Sequence, residues 1–514
     1  MNDRQTRDYF NPPMKSKNIA MKNIALITGA VALAMATAAP AQSTKAIPNF
    51  SAANLVLGRA DFVGGVAGSG ARDFTTGDVG DVAIDVNTRK VFVADGFRVL
   101  RFSNADALAN GAAAEAVFGQ GNFETNSTPD TPNEYRLSAI GIHIDTQGRL
   151  WVADINNRRV LRFDNANTTS NFPAATRVYG QPNFTSKVQR FSAAGMAGPS
   201  DVVVDASDRL WVADADNNRV LRFDNITNKP SGAAADAVLG QTVLDTGGSG
   251  GPEGLSQSKM DLPYSLAVSS SGTLFVSERD NNRVLRFDNA ATLANGANAN
   301  VVLGQPNFTT KTLDLVATKM FEPSGISLSS DDTLWVADRY YARVTRFDNA
   351  STKGSGAAAD GVLGQPDLFT DKQNNNTQGE FSANSQGLLF PAHVFVDNVK
   401  GGVWVSDTQN RRVLRFSVAT PPPVDTTKPV LAVAKTPKIT KAKSITIKGS
   451  ATDNSGKVAR VQYRVGSRAA KNATGTAKWQ FITPLGKGKN VITITAVDAA
   501  GNVSSNRVVK IERR

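Results

Sequence analysis

A chain of 514 residues with 43 Gly and modest aromatic content is long enough for two or three domains and suits many short strands joined by turns. It has no Cys and only two His, His143 and His393, which excludes disulfides, thiolate metal sites, Cys nucleophiles and a His-rich metal centre. The formal charge of +12 is uneven: residues 428–514 carry eighteen Lys and Arg against three acidic residues, which leaves 42–427 mildly acidic and calls for two functional readings.

Residues 1–41 read as a secretory signal peptide. Lys15, Lys17 and Lys22 precede an apolar run from Ile24 to Met35, and Ala39-Pro40-Ala41 supplies a small-residue cleavage site. Met21 starts a signal of conventional length by itself, so residues 1–20 are a candidate mis-assigned start. The run is shorter and richer in Ala than a span of about 20 apolar residues. A secreted or periplasmic protein with no membrane segment in its mature chain is expected.

One motif then recurs six times: VFVADGFRVLRF at Val91, LWVADINNRRVLRFDN at Leu150, LWVADADNNRVLRFDN at Leu210, LFVSERDNNRVLRFDN at Leu274, LWVADRYYARVTRFDN at Leu334 and VWVSDTQNRRVLRF at Val403. Each unit parses into four short strands, as in DVVVD (201–205), LWVAD (210–214), RVLRFD (219–224) and AVLGQ (237–241), bounded by Asp, Asn, Gly and Pro. Four antiparallel strands repeated radially make propeller blades. A second motif, VLGR or V-[LFY]-G-Q, also occurs six times, at Val56, Val117, Val178, Val238, Val302 and Val362. Its first copy precedes the first unit and none follows the last. The outer strand of blade six is therefore expected from Leu55–Leu57, which would close the ring and remove an open sheet edge.

The repeat P-x-[GDS]-[IVL]-x-[VL]-[DS]…[LV]-[WF]-V-[AS]-[DE]-x-x-[NY]-x-R-[VI]-x-[RK]-F resembles the NHL repeat over residues 54–417. The resemblance implies an all-β, six-bladed β-propeller over 42–418, in agreement with the count of units.

The recurring Asp95, Asp154, Asp214, Glu278, Asp338 and Asp407 sit at the hairpin between second and third strands, with Arg159, Arg219, Arg283, Arg343 and Arg412 beyond it. Short carboxylates and amides suit the turn, and the Arg can fork onto the carboxylate and nearby carbonyls. A feature present in nearly every blade cannot select one ligand, so these residues read as scaffold. The Trp at 151, 211, 335 and 404 read as inter-blade packing.

Function is expected where the repeat departs from itself. The variable segments 121–137, 182–198, 242–262, 306–322 and 366–390 should emerge on one face with the hairpins, the usual place for binding on a rigid ring. Two positions after the Pro of the first strand stand Asp81, Gly141, Asp201, Ser265, Gly325 and His393, expected around the channel mouth. Asp81, Asp201 and His393 are candidate ligands for a divalent cation, Ca or Zn, although no cofactor is the leading expectation. Tyr340 and Tyr341 replace the polar pair of the fifth hairpin and are candidates for contact with a protein or sugar. His143, one strand position deeper, reads as an interior histidine.

Pro391-Ala392-His393 alone keeps the Pro-x-His start that resembles the amidating lyases, whose metal is held by three channel histidines; the matching places elsewhere are Asp, Gly or Ser. Lactonase-like propellers, which use carboxylate and Asn ligands, are resembled through Asp81 and Asp201. No strand–Ser–helix nucleophile elbow or phosphate loop is read in the sequence.

Residues 419–427, with Pro421-Pro422-Pro423, read as a stiff linker. Beyond it, PVLAVAK (429–435), SITIKGSATD (444–453), VARVQYRV (458–465), KWQFITPL (478–485), NVITITAVD (490–498) and RVVKIE (507–512) predict a β-sandwich over 428–514. Its A-T-D-N-S-G and A-V-D-A-A-G-N turns resemble those of bacterial immunoglobulin-like domains, which implies a spacer or adhesion module. Its Lys residues suit an anionic cell-envelope surface; nucleic acid is not expected. The leading expectation is a non-catalytic, exported binding or scaffold protein that engages a protein or polysaccharide on the loop face. The alternative is a metal-dependent propeller lyase or lactonase-like hydrolase.

Overall fold

The computed structural model describes residues 43–63, 70–74, 79–127, 131–245, 255–375, 383–418, 427–453, 458–498 and 502–514. The expected signal peptide and all but the last residue of the expected linker lie outside them. So do parts of three variable segments, 128–130, 246–254 and 376–382.

From Leu55 to Ser417 the described residues form six four-stranded antiparallel sheets. The third is representative: Pro199–Val204, Leu210–Asp214, Arg219–Phe223 and Ala237–Leu239 pair in chain order, with Val204 opposite Leu210 and Asp214 opposite Arg219. Val, Ile, Leu and aromatic residues at these positions fit a pleated surface buried on both sides. The outer strand always ends at a glycine with φ of +82° to +87°, as at Gly58, Gly119 and Gly240, a backbone L side chains rarely adopt. That is why the short motif keeps its Gly.

The sixth sheet runs Pro391–Asp397, Gly402–Asp407, Arg412–Ser417 and then Leu55–Leu57. Leu55, Val56 and Leu57 pair with Arg415, Leu414 and Val413. The first strands of the six sheets, Val79–Ile84, Ala139–Ile144, Pro199–Val204, Pro263–Val268, Pro323–Leu328 and Pro391–Asp397, touch in succession, and the last touches the first.

The apolar core is divided into clusters between neighbouring sheets. Phe92 and Phe118 of the first sheet pack with Leu150 and Phe163 of the second; Trp151 packs into the third sheet, Trp211 into the fourth, Trp335 into the sixth and Trp404 into the first. Large aromatics therefore weld sheet to sheet.

Residues 430–513 form two further sheets. Val430–Val433, Ser444–Thr452 and Lys478–Pro484 make one; Ile439–Thr440, Arg507–Arg513, Gly488–Asp498, Val458–Val465 and Lys471–Asn472 make the other. Ile447, Trp479 and Phe481 from the first and Val461, Ile492, Ile494 and Ile511 from the second share one core, a two-layer sandwich. No helix among the described residues is long and apolar enough to cross a membrane.

Candidate functional site

Each hairpin acidic residue is a fully buried partner of an Arg. Asp95–Arg98, Asp154–Arg159, Asp214–Arg219, Glu278–Arg283, Asp338–Arg343 and Asp407–Arg412 all have completely covered side chains. The guanidinium then donates to the carbonyl five residues past the outer strand, Phe123, Phe184, Leu244, Phe308 and Leu368 in the first five sheets. In the sixth it is Phe62, five past Leu57. The Arg of the closing R-F pair donates to a carbonyl outside its own sheet, as Arg222 does to Ala291, Arg415 to Ala105 and Arg346 to Lys45 and Ile47. Arg98 and this second Arg set were missed in the sequence although both are visible as repeat positions.

Asp81, Gly141, Asp201, Ser265, Gly325 and His393 do not ring an open mouth. Asp201 and His393 are 4% and 2% exposed, and the set forms a belt inside the channel. The correction has a local cause: three of the side chains, Asp81, Asp201 and Ser265, are spent on the next sheet. Asp81 Oδ2 accepts the Ile142 N–H at 3.2 Å, Asp201 Oδ2 accepts Ser265 Oγ at 2.7 Å and the Leu266 N–H at 2.8 Å, and Ser265 Oγ accepts the Ile326 N–H at 3.1 Å. The stitch repeats one layer deeper, where Ser327 Oγ accepts the Val396 N–H and His143 bonds the Val204 backbone. His393 Nδ1 lies 3.6 Å from Asp81 Oδ1. Among the described residues no three His, Asp or Glu side chains converge closely enough to hold a metal ion.

Glycine takes two belt positions because its neighbours lean in. A Cβ on Gly141 would stand 2.5 Å from the Ser200 carbonyl and 2.7 Å from Asp201 Oδ1, and one on Gly325 would stand 2.4 Å from His393 Cα. Gly325→Ala is expected to cost about 1–3 kcal/mol through overpacking against backbone, whereas Gly354→Ala, where an added Cβ meets nothing, should be close to neutral. Equal unfolding midpoints for the two variants would refute the close approach.

Burial sets the electrostatics. It pushes the Asp201 carboxyl up to about 6, and burial with the nearby Asp201 charge holds Asp81 well above the usual carboxylate range. Burial, helped by Arg279 and Arg339, drives His393 down to about 3, and burial drives His143 down to about 4. The unfolded chain thus takes up protons at both histidines below about pH 6.5 that the folded chain refuses, so they stabilise above that pH and lose the contribution as pH falls toward 4 and 3. Asp201 acts oppositely, losing stability as pH rises from its ordinary value through about 6. His393→Gln should therefore shrink the fall in melting temperature between pH 7 and pH 4; an unchanged acid limb would count against a buried neutral imidazole.

Tyr341 is corrected: it is only 7% exposed and lies under the Arg343 guanidinium, where a ring next to the buried ion pair excludes water. Tyr340 is 40% exposed, stacked on Phe321 at 4.7 Å and edge-on to Phe390, with Arg339 beside both rings. At the same end of the channel Tyr264 is buried against His393 and covered by Arg279. Exposed large apolar side chains stand on every connection that leaves an outer strand: Val63, Tyr135, Val188, Phe191, Val243, Leu313 and Phe369. These positions precede the first strand of the next sheet, so they share the hairpin end.

The opposite end holds a cavity of about 530 Å³. Its walls are the far ends of the first strands and its rim is the turns at 145–149, 205–208 and 397–399, while Asp81 and Asp201 lie at its inner limit. No periodicity in the chain announced this cavity, because it arises only when six strand ends converge.

Four-stranded antiparallel sheets whose first strands follow one another define a propeller fold. The profile of the NHL repeat family matches residues 196–223, the start of the third repeat. Among solved structures the chain is similar to a streptogramin B lyase (13% identity, 69% of this chain and 95% of that one, TM-score 0.37). An auxiliary nutrient binding protein from Bacteroides thetaiotaomicron VPI-5482 is also similar (10%, 66% and 69%, 0.41), as is a putative gluconolactonase (12%, 71% and 96%, 0.38). Comparison with curated proteins gives no match.

Proposed function

We propose that the chain is an exported, non-catalytic binding protein: a six-bladed propeller of NHL type, closed by its N-terminal strand, whose loop face engages a partner, followed by an immunoglobulin-like module. The observation that carries this reading is the array of exposed apolar side chains on all six connections, joined by Tyr340. Exposed apolar groups gathered at one end of a rigid scaffold mark an interaction surface. Val63, Val188, Val243 and Leu313 favour a protein over a glycan, since sugars stack on aromatic faces and gain little from aliphatic ones. The alternative lyase or lactonase-like reading has weaker support, because the belt carboxylates accept hydrogen bonds from adjoining sheets.

The test pairs Tyr340→Ala with Tyr341→Ala. Once a partner is isolated by crosslinking, Tyr340→Ala should weaken binding at least tenfold with an unchanged melting temperature, while Tyr341→Ala should lower the melting temperature. Full affinity in a Tyr340→Ala, Phe369→Ala double variant would refute a loop-face interface. For residues 428–514, the excess of Lys and Arg supports tethering to an anionic envelope surface. Binding of the whole chain to vesicles rich in phosphatidylglycerol should then fall steeply with salt; binding insensitive to salt would reduce the module to a spacer.

A further inference from the structure

The cavity on the far side from the variable connections has a chemistry of its own. One aliphatic residue from each sheet lines it, at the same place near the end of each first strand: Ile84, Ile144, Val204, Val268, Leu328 and Val396. This ring gives an apolar band between the polar turn residues of the rim and the two acids at the inner end. At 530 Å³ the space falls within the size range of small-ligand sites, about 300–1,000 Å³.

Charge decides what the wall would enclose. Six carboxylates and two guanidinium groups line the cavity. Both guanidinium groups are committed at the rim: Arg89 donates to Asp397 at 2.9 Å, and Arg149 to Asp145 at 2.5 Å. At the inner end Asp81 and Asp201 have neutral hydrogen-bond donors, backbone N–H groups and the Ser265 hydroxyl. Among the described residues their one basic neighbour within ion-pair range is His393, next to Asp81, and burial keeps that imidazole neutral. Burial favours the protonated form of both acids, so a cation close by is what would hold the pair ionised, because a carboxylate removed from water gains most from a nearby counter-charge. Among the described residues no third His, Asp or Glu converges on the two carboxylates to complete a metal site, and the apolar band has no use for a hydrated ion.

We infer that this cavity binds a small cationic amphiphile, an organic ammonium whose apolar body lies against the six-residue ring and whose positive head reaches Asp81 and Asp201. An anionic amphiphile of the same length meets the acids, and a neutral one leaves them without a counter-charge. The site is independent of any partner on the loop face.

Calorimetry on the full chain tests this with n-octylammonium, 1-octanol and octanoate, three probes that share a chain length and differ in head charge. Octylammonium should bind one to one, at least tenfold tighter than octanol, with octanoate weakest. Val268→Trp fills the wall without touching either acid and should reduce octylammonium affinity at least tenfold; Asp201→Asn should do so by removing charge. Tyr340→Ala should leave the affinity as it was, which separates this site from the loop-face interface. Equal binding of octanol and octylammonium, no octylammonium binding at millimolar concentration, or full affinity in Val268→Trp would overturn the inference. Should Asp201→Asn fail to fold, the three probes on the unsubstituted chain still read the charge preference.

Discussion

Arg219→Ala should destabilise the protein by about 3–5 kcal/mol, among the largest effects of any single substitution, because it strips a buried charge of its partner. The Arg219 guanidinium makes four contacts: Nε to Asp214 at 2.9 Å and the terminal nitrogens to the carbonyls of Leu244, Ser192 and Gly195 at 2.8–3.1 Å. Two of those carbonyls lie on the connection entering the sheet and one on the connection leaving it. Replacing both partners by Leu rescues some buried ion pairs elsewhere, but here it takes the Arg donor from the Leu244 and Gly195 carbonyls, at about 1–3 kcal/mol each, while the Ser192 carbonyl keeps the Gly195 N–H. Arg219→Lys keeps the charge and loses the fork, so most of the loss should persist. Urea unfolding of the three variants measures this. Recovery to full stability in the Asp214→Leu, Arg219→Leu pair would show that the Arg contributes only its charge.

A chain shortened to begin at residue 59 should associate to a larger species than the full chain. Leu55, Val56 and Leu57 are at most 2% exposed, and each is worth about 1.5–3 kcal/mol of burial. Their removal also uncovers the outer edge of Arg412–Ser417, a row of free N–H and C=O groups ready to pair with another copy. The loss reaches the fifth sheet too. Arg346 donates to the carbonyls of Lys45 and Ile47, Trp335 to Thr44 Oγ1, and the Val362 N–H to Asn49 Oδ1. Size-exclusion chromatography with light scattering should show association, and melting should start well below that of the full chain. A monomer with unchanged melting would mean that the sheet is stable without its fourth strand.

The strands were legible because burial on both faces imposes apolar residues at fixed places in each repeat; VARVQYRV at 458–465 forms Val458–Val465, and NVITITAVD gains only Gly488 and Lys489. The pairing of Leu55–Leu57 with the sixth sheet was legible too, since a missing copy of one motif at the end and an extra copy at the start have one simple solution. Local chemistry, repeated six times, is what a chain writes openly.

The site was not. Asp81, Asp201 and His393 were placed at a mouth because their spacing fixes the layer they share but says nothing of its depth. Tyr340 and Tyr341 are adjacent and alike in sequence, yet one is 40% exposed and the other 7%, because the hairpin turns one ring outward and tucks the other against Arg343. The cavity depends on six strand ends separated by 60 or more residues, and its charge on which arginines are already spent on other carboxylates. The sequence alone determined the repeat, its strands and the scaffold ion pairs, since those follow from interactions within one unit. Depth, exposure and the balance of charge around the axis are properties of the convergence of all six units, and only the tertiary structure decided them.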